Sequence, residues 1–142
     1  MTIGPTVLLD TSAVIDFEDL DGRQVASELE CDYASLAPGI SAITLAELAA
    51  GPHATGDAEV RAVRQARLQW VESTFDPFPF DADASRAYGV IYGRVRGMGR
   101  KPRKRLADLL IAAVASANGL PLVTRNPDDF AGLAAHVTVI SA

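Results

Sequence analysis

Residues 106–124 read LADLLIAAVASANGLPLVT, and this stretch decides the fold. From 106 to 118 the side chains are apolar or small almost all round, with Asp108 and Ser116 as the main exceptions. A segment apolar on every side, too short to cross a bilayer, is a helix buried in a protein core. Gly119 follows at the place where a helix ends on a left-handed residue. Residues 120–124 then form a short, continuously apolar run, as expected of a strand covered on both faces. A buried helix feeding directly into a buried strand is the unit of a parallel sheet.

The same alternation appears elsewhere in the chain. Val7, Leu8 and Leu9 predict a strand that stops at Asp10, with Thr11 or Ser12 able to cap the helix that follows. The polar stretch 18–35 predicts further helix. Residues 40–43 predict a second strand, with Thr44 as the cap of a helix holding Glu47. The stretch 51–56 breaks that helix, 57–73 is amphipathic, and 76–80 is extended because each proline denies helix to its predecessor. Residues 83–96 return to helical period, placing Ala84, Ala87, Tyr88, Ile91 and Val95 on one face. Residues 125–130 form a turn and 137–140 a last strand. The expected fold is α/β, an α/β/α sandwich around a central, mainly parallel sheet of four to five strands, in a single domain spanning 1–142. Ligand sites in such sheets lie beyond the carboxyl ends of the strands. Asp10, Thr44 with Glu47, and Asn126 with Asp129 all follow strands.

Each acid has an ordinary explanation when taken alone. Asp10 can cap the next helix. Thr44 and Glu47 have the spacing of a capping box, with Glu47 reaching back to the Thr44 amide. Asp129 belongs to a good turn sequence, Asn126-Pro127-Asp128-Asp129. Asp108 resists this treatment, because it alone interrupts the apolar run 106–115. A helix N-terminus offsets about 0.3–1 kcal/mol of a carboxylate's burial, too little to justify full burial without a partner cation. Taken jointly, several acids meet at one sheet edge. Two carboxylates 4 Å apart repel by about 4 kcal/mol at an effective dielectric near 20. A hard divalent cation removes that repulsion and suits phosphoryl chemistry.

The totals narrow the choice further. One cysteine, Cys31, and two histidines, His53 and His136, make a zinc site improbable, so a metal would sit among oxygens, which suits Mg2+ or Mn2+. Neither histidine has a nucleophile motif around it, and no glycine-rich phosphate loop follows the first strand. The N-terminal residues lack a signal-peptide pattern and no apolar run could span a membrane, so the expected compartment is the cytoplasm. The net charge is -5, yet seven of the thirteen basic residues fall within twelve positions: Arg94, Arg96, Arg100, Lys101, Arg103, Lys104 and Arg105. An acidic body with one concentrated basic segment fits an enzyme gripping a polyanion at one place, although a solvated surface segment would look the same.

With these residues in hand, the chain resembles a PIN-domain ribonuclease, and more narrowly the VapC-type toxins of bacterial type II toxin–antitoxin pairs. Four fragments carry the resemblance, in order and nearly end to end: 8–13 (LLDTSA), 41–48 (SAITLAEL), 107–113 (ADLLIAA) and 122–130 (LVTRNPDDF). The resemblance implies Mg2+, or Mn2+, held by Asp10 and Asp108. Glu47 and Asp129 complete the acidic, catalytic cluster, and Asn126 is a further ligand candidate, directly or through water. Many relatives carry Asp where this chain has Asn126, which argues for one tightly held ion. Thr11, Ser12 and Thr124 are candidates to steady the carboxylates. The resemblance also implies cleavage of structured RNA, in a transfer RNA or ribosomal RNA loop, with inhibition of translation and with the basic segment 94–105 on the phosphates. It implies a VapB-type antitoxin and a homodimer within the complex; apolar or amphipathic surfaces near 14–20 and 57–71 are candidates to receive the antitoxin. Two alternatives stand beside it: a catalytically weak PIN-like RNA-binding module, and a metal-dependent phosphatase or DNA nuclease.

Overall fold

The computed structural model describes residues 4–142, so part of the N-terminal stretch read for a signal sequence lies outside it. Four strands form one all-parallel sheet: β1 (Val7–Leu9), β2 (Pro38–Ile40), β3 (Leu122–Thr124) and β4 (Val139–Ser141), in the order β2-β1-β3-β4. Leu8 faces Gly39 on one side and Leu122 on the other, while Val123 faces Ile140. Among the described residues, six α-helices cover the sheet: α1 (Thr11–Ile15), α2 (Gly22–Glu28), α3 (Ala42–Ala50), α4 (Ala58–Thr74), α5 (Ala82–Gly97) and α6 (Leu106–Ala117). This is the sandwich expected from the alternating pattern. The extended segment 76–80 adds to the sheet edge through Phe78, which bridges in parallel to Ser41 beside β2.

Side-chain alternation along the strands divides the interior in two. Leu8 and Leu122 pack with α5 and α6, against Ile91, Val95, Leu109 and Ile111. Val7, Leu9, Ile40, Val123 and Ile140 face the other way, toward Val14, Val25, Leu48, Leu68 and Val71. Helix α6 is the central pillar of the first layer, with Leu109 and all of Ile111–Ala115 buried. Burying Leu109 or Ile111 contributes roughly 1.5–3 kcal/mol each. Gly119 ends the helix as its pattern predicts: its φ is +64, and the amides of Gly119 and Leu120 turn back to the carbonyls of Ser116 and Ala115.

Two helix starts settle which residues act as caps. Helix α1 is capped by Asp10, the role the sequence allowed it, and not by the alternatives Thr11 or Ser12: Asp10 Oδ1 accepts the Ala13 amide at 2.9 Å. The second strand ends at Ile40 instead of running to 43, and α3 starts at Ala42. The cause is the Phe78 bridge: the Phe78 amide donates to the Ile40 carbonyl and the Ala42 amide to the Phe78 carbonyl, which turns the chain at Ser41. Ser41 is therefore the cap, accepting the Thr44 amide at 3.1 Å. The capping box of Thr44 with Glu47 does not form. Thr44 lies inside the helix, fully buried, and Glu47 reaches Thr11 instead.

Candidate active site

Strand order reverses between β1 and β3, the point in such sheets where ligands bind beyond the strand ends, and the candidate residues gather there. Asp10 follows β1 directly and is only 4% exposed. It is held by three donors: Ser12 Oγ at 2.7 Å and the Ala13 amide on Oδ1, and Thr124 Oγ1 at 2.5 Å on Oδ2. Each hydroxyl also accepts, Ser12 from the Arg125 amide and Thr124 from the Asn126 amide. The ends of β1 and β3 are thereby laced together around one carboxylate. Thr11 points to the opposite side, donating to Glu47 Oε1 at 2.6 Å, with Thr44 Oγ1 at 3.2 Å.

Asp108 arrives from the first turn of α6 and Asp129 from the 3-10 turn Pro127–Phe130, whose cap position is Asn126. The fully buried, cation-seeking Asp108 expected from the apolar run is corrected in part, since its side chain keeps 30% exposure. Its environment is still unfavourable to charge. Burial, and then the nearby charges of Asp129, Asp10 and Glu47, push its carboxyl up to about 6, against a smaller opposing pull from Arg105. Four acids drawn from four segments are therefore near enough to be felt at one carboxyl.

Arg105 is the unexpected member. Sequence alone grouped it with the phosphate-binding basic segment. Instead its guanidinium pairs with Asp129 Oδ1 and lies 4.0 Å from Asp108 Oδ2. Arg94 is also partly engaged, donating to the Gly132 carbonyl. Arg96 at the end of α5 and Arg100, Lys101, Arg103 and Lys104 in the connection to α6 are exposed. Arg125, which no local pattern singled out, fastens the turn after β3. It pairs with Asp16 at 3.4 Å and donates to the carbonyls of Asp19 and Ala142. Ser41 was missed for a related reason, its capping role being hidden inside an apparent strand.

Among the described residues, no three His, Cys, Asp or Glu side chains already close on one point as a metal-holding group. The donor chemistry nevertheless fits a hard divalent cation. It consists of carboxylates and hydroxyls, and the charge of Asp108 and its three acidic neighbours is opposed at that carboxyl by Arg105.

The raised Asp108 carboxyl has a consequence for stability. The fold holds this proton more tightly than the unfolded chain does, so the stabilisation is full below the ordinary value of 3.8 and is lost as pH rises through about 6. In chelator, the denaturation midpoint of the parent should fall relative to that of Asp108→Asn as pH rises from about 4 to about 6. Parallel profiles for the two proteins would contradict this electrostatic account.

The chain belongs to the PIN domain family, which matches residues 7–135. Within it the chain stands with the VapC ribonucleases. It is 38% identical over 135 residues to Ribonuclease VapC5 of Mycobacterium tuberculosis, covering 94% of this chain and 93% of that protein. It is also 38% identical over 97 residues to VapC ribonuclease Y4jK of Sinorhizobium fredii, covering 64% and 66% of the two chains. The crystal structure of VapBC-5 from M. tuberculosis, a member of the VapBC family of toxin–antitoxin systems, superposes with a TM-score of 0.71 at 31% identity, over 96% of this chain and 98% of that one. FitAcB from Neisseria gonorrhoeae superposes with a TM-score of 0.67 at 29% identity, over 94% and 96%. The resemblance carried by the four sequence fragments is borne out in family and in fold.

Proposed function

We propose that this chain is a divalent-metal-dependent endoribonuclease and the toxin half of a toxin–antitoxin pair. The observation that carries the reading is the convergence of Asp10, Glu47, Asp108 and Asp129 at the strand-order reversal, where mutual repulsion is already legible in the raised Asp108 carboxyl. The VapC relatives, named as ribonucleases, supply the reaction class.

Asp10 and Asp108 would hold Mg2+ or Mn2+, with Glu47, Asp129 and Asn126 as further ligands, direct or through water. When bound, such an ion supplies Lewis-acid stabilisation of the charge developing on the phosphodiester. The chain's own residues do the rest. Ser12, Thr124 and the Ala13 amide fix the orientation of Asp10. Thr11 fixes one oxygen of Glu47, leaving Oε2 to take the proton of a water whose oxygen bonds to phosphorus while the bond to the leaving ribose oxygen breaks, that oxygen taking a proton from solvent. The substrate is structured RNA cut at an unpaired position, in a transfer RNA or ribosomal RNA loop, so that translation stops.

The partner is a VapB-type antitoxin, by likeness to the VapBC family structure. The two segments suggested by sequence do meet in space: Phe17 packs at a tilt against Trp70, ring centroids 5.3 Å apart, and Ile15, Val63 and Trp70 leave apolar surface exposed. A homodimer within that complex and a cytoplasmic location complete the proposal. No helix among the described residues is long and apolar enough to cross a membrane.

The decisive experiment exposes RNA to the partner-free chain with Mg2+ or with chelator, and maps new RNA ends. Discrete ends that require both the metal and Asp10 support the reading. Their absence, with RNA binding retained, would favour the weak binding module, for which Asn126 in place of an acid and the engagement of Asp129 by Arg105 are the arguments.

The basic connection gives a separate prediction. Replacing Arg100, Lys101, Arg103 and Lys104 together with Ala should weaken RNA binding and flatten its salt dependence. Each phosphate that is no longer neutralised takes about 0.7 off the log–log slope on single strands. Stability should hardly move, because all four are exposed. An unchanged slope would mean that the RNA is held elsewhere.

A further inference from the structure

The pairing of Arg105 with two carboxylates of the site has no part in the chemistry just described. Arg105 occupies the residue before α6, three positions ahead of Asp108, and crosses 24 residues of sequence to reach Asp129. Its position is not that of a structural arginine. The side chain is 53% exposed, whereas those of Asp129 and Asp108 are 23% and 30% exposed, so the guanidinium covers the acids from the solvent side. A guanidinium cannot lose its proton to relieve crowding, so it answers a competing cation only by moving.

We propose that Arg105 is a built-in counter-ion that occupies Asp129 and Asp108 in the metal-free protein and competes with the divalent cation for them. The inference rests on the metal-site reading above, since it concerns the same carboxylates. A dication placed against Asp108 and Asp129 meets the positive charge of Arg105 at close range, and both cannot stay. The exposed side chain has room to leave. Its neighbours Arg103 and Lys104 are themselves exposed, so a displaced Arg105 joins the surface that faces a polyanion. The arrangement has two consequences. It offsets the repulsion of the acids while no ion is present, and it lowers the affinity for that ion. Asp129 is already turned toward its arginine.

The test is calorimetric titration of Mn2+ and Mg2+ into the full chain, comparing the parent with Arg105→Gln and Arg105→Lys, each after removal of metal by chelation. Arg105→Gln removes the competing charge and should bind the ion about threefold to tenfold more tightly, the range of a partly exposed ion pair reinforced by relief of the repulsion between arginine and ion. Arg105→Lys keeps the charge but loses the planar fork, and should fall between the two. The melting temperature of Arg105→Gln should be lower than that of the parent without metal and should converge with it at saturating Mn2+. This readout does not depend on cleavage. Equal or weaker binding by Arg105→Gln overturns the counter-ion role while leaving the metal site standing. If Arg105→Gln fails to fold, the lysine variant carries the test, and weaker binding than the parent overturns the proposal. Failure of the parent and both variants to bind either ion overturns the metal-site reading itself, and this inference with it.

Discussion

Asp10→Asn and Asp108→Asn should each abolish metal-dependent RNA cleavage, and they should differ in their effect on the metal-free fold. Mutating a group that merely orients a metal ligand commonly costs about 10–100-fold in affinity or activity, so losing a ligand's charge should cost more than ~100-fold. The folds respond differently because the two carboxylates are held differently. Asp10 accepts three hydrogen bonds, and asparagine can still accept the Ala13 amide as a helix cap. It cannot accept from both the Ser12 and Thr124 hydroxyls without one of them reorienting, so Asp10→Asn should be neutral or destabilising by about 1 kcal/mol. Asp108 instead sits in an environment that disfavours its charge, so Asp108→Asn should stabilise the chelated protein above pH 6. Magnesium separates function from folding. An ion at a hundred times its Kd stabilises the parent by about 2.7 kcal/mol. At roughly 3 °C per kcal/mol for a domain of this size, that is a readily measured rise in melting temperature. The rise should be much smaller in both variants. Equal metal-induced shifts in parent and variants would remove both residues from the metal site.

The parts of this site that could be read from sequence are those fixed by local pattern. An apolar run ending at Asp10 and an apolar helix interrupted at Asp108 leave little freedom, because strand burial and helix burial dictate where each acid must stand. The segments could also be ordered into a parallel sheet, which places the acids on its carboxyl edge. What the pattern could not supply was the choice between equivalent local partners. Ser41 and Thr44 are both competent helix caps, and Ile43 prolongs the apolar run, so the helix looked as though it began later. The decision lies in Phe78, almost forty residues away, whose backbone ends β2 at Ile40. The same holds for Arg105, which is indistinguishable in sequence from Arg103. Its return to Asp129 depends on how the turn after β3 meets the start of α6, a tertiary fact with no local signature. Local geometry thus placed the acids, and long-range packing chose their partners.

Glu47 is where that difference changes what an experiment means. Had it been the far half of a capping box, its loss would have unfolded the start of α3. Instead Ser41 supplies the cap, and Glu47 accepts the Thr11 hydroxyl across the site. Glutamine can accept the same hydrogen bond, so Glu47→Gln should fold with near-parent stability. It lacks the negative charge, however, and should therefore cleave at least about tenfold more slowly and bind Mg2+ more weakly. It should also bring the Asp108 carboxyl back toward its ordinary value, since Glu47 is one of the charges raising it. Glu47→Ala should lose activity too but little stability, because the Thr11 hydroxyl can turn to Thr44 Oγ1. Ser41→Ala is the complement, costing the ~1 kcal/mol of a helix cap while leaving the carboxylates in place. Denaturation midpoints and single-turnover cleavage on the three variants decide the matter. If Glu47→Gln cleaves at the parent rate, Glu47 serves only to hold Thr11, and the acidic site reduces to Asp10, Asp108 and Asp129.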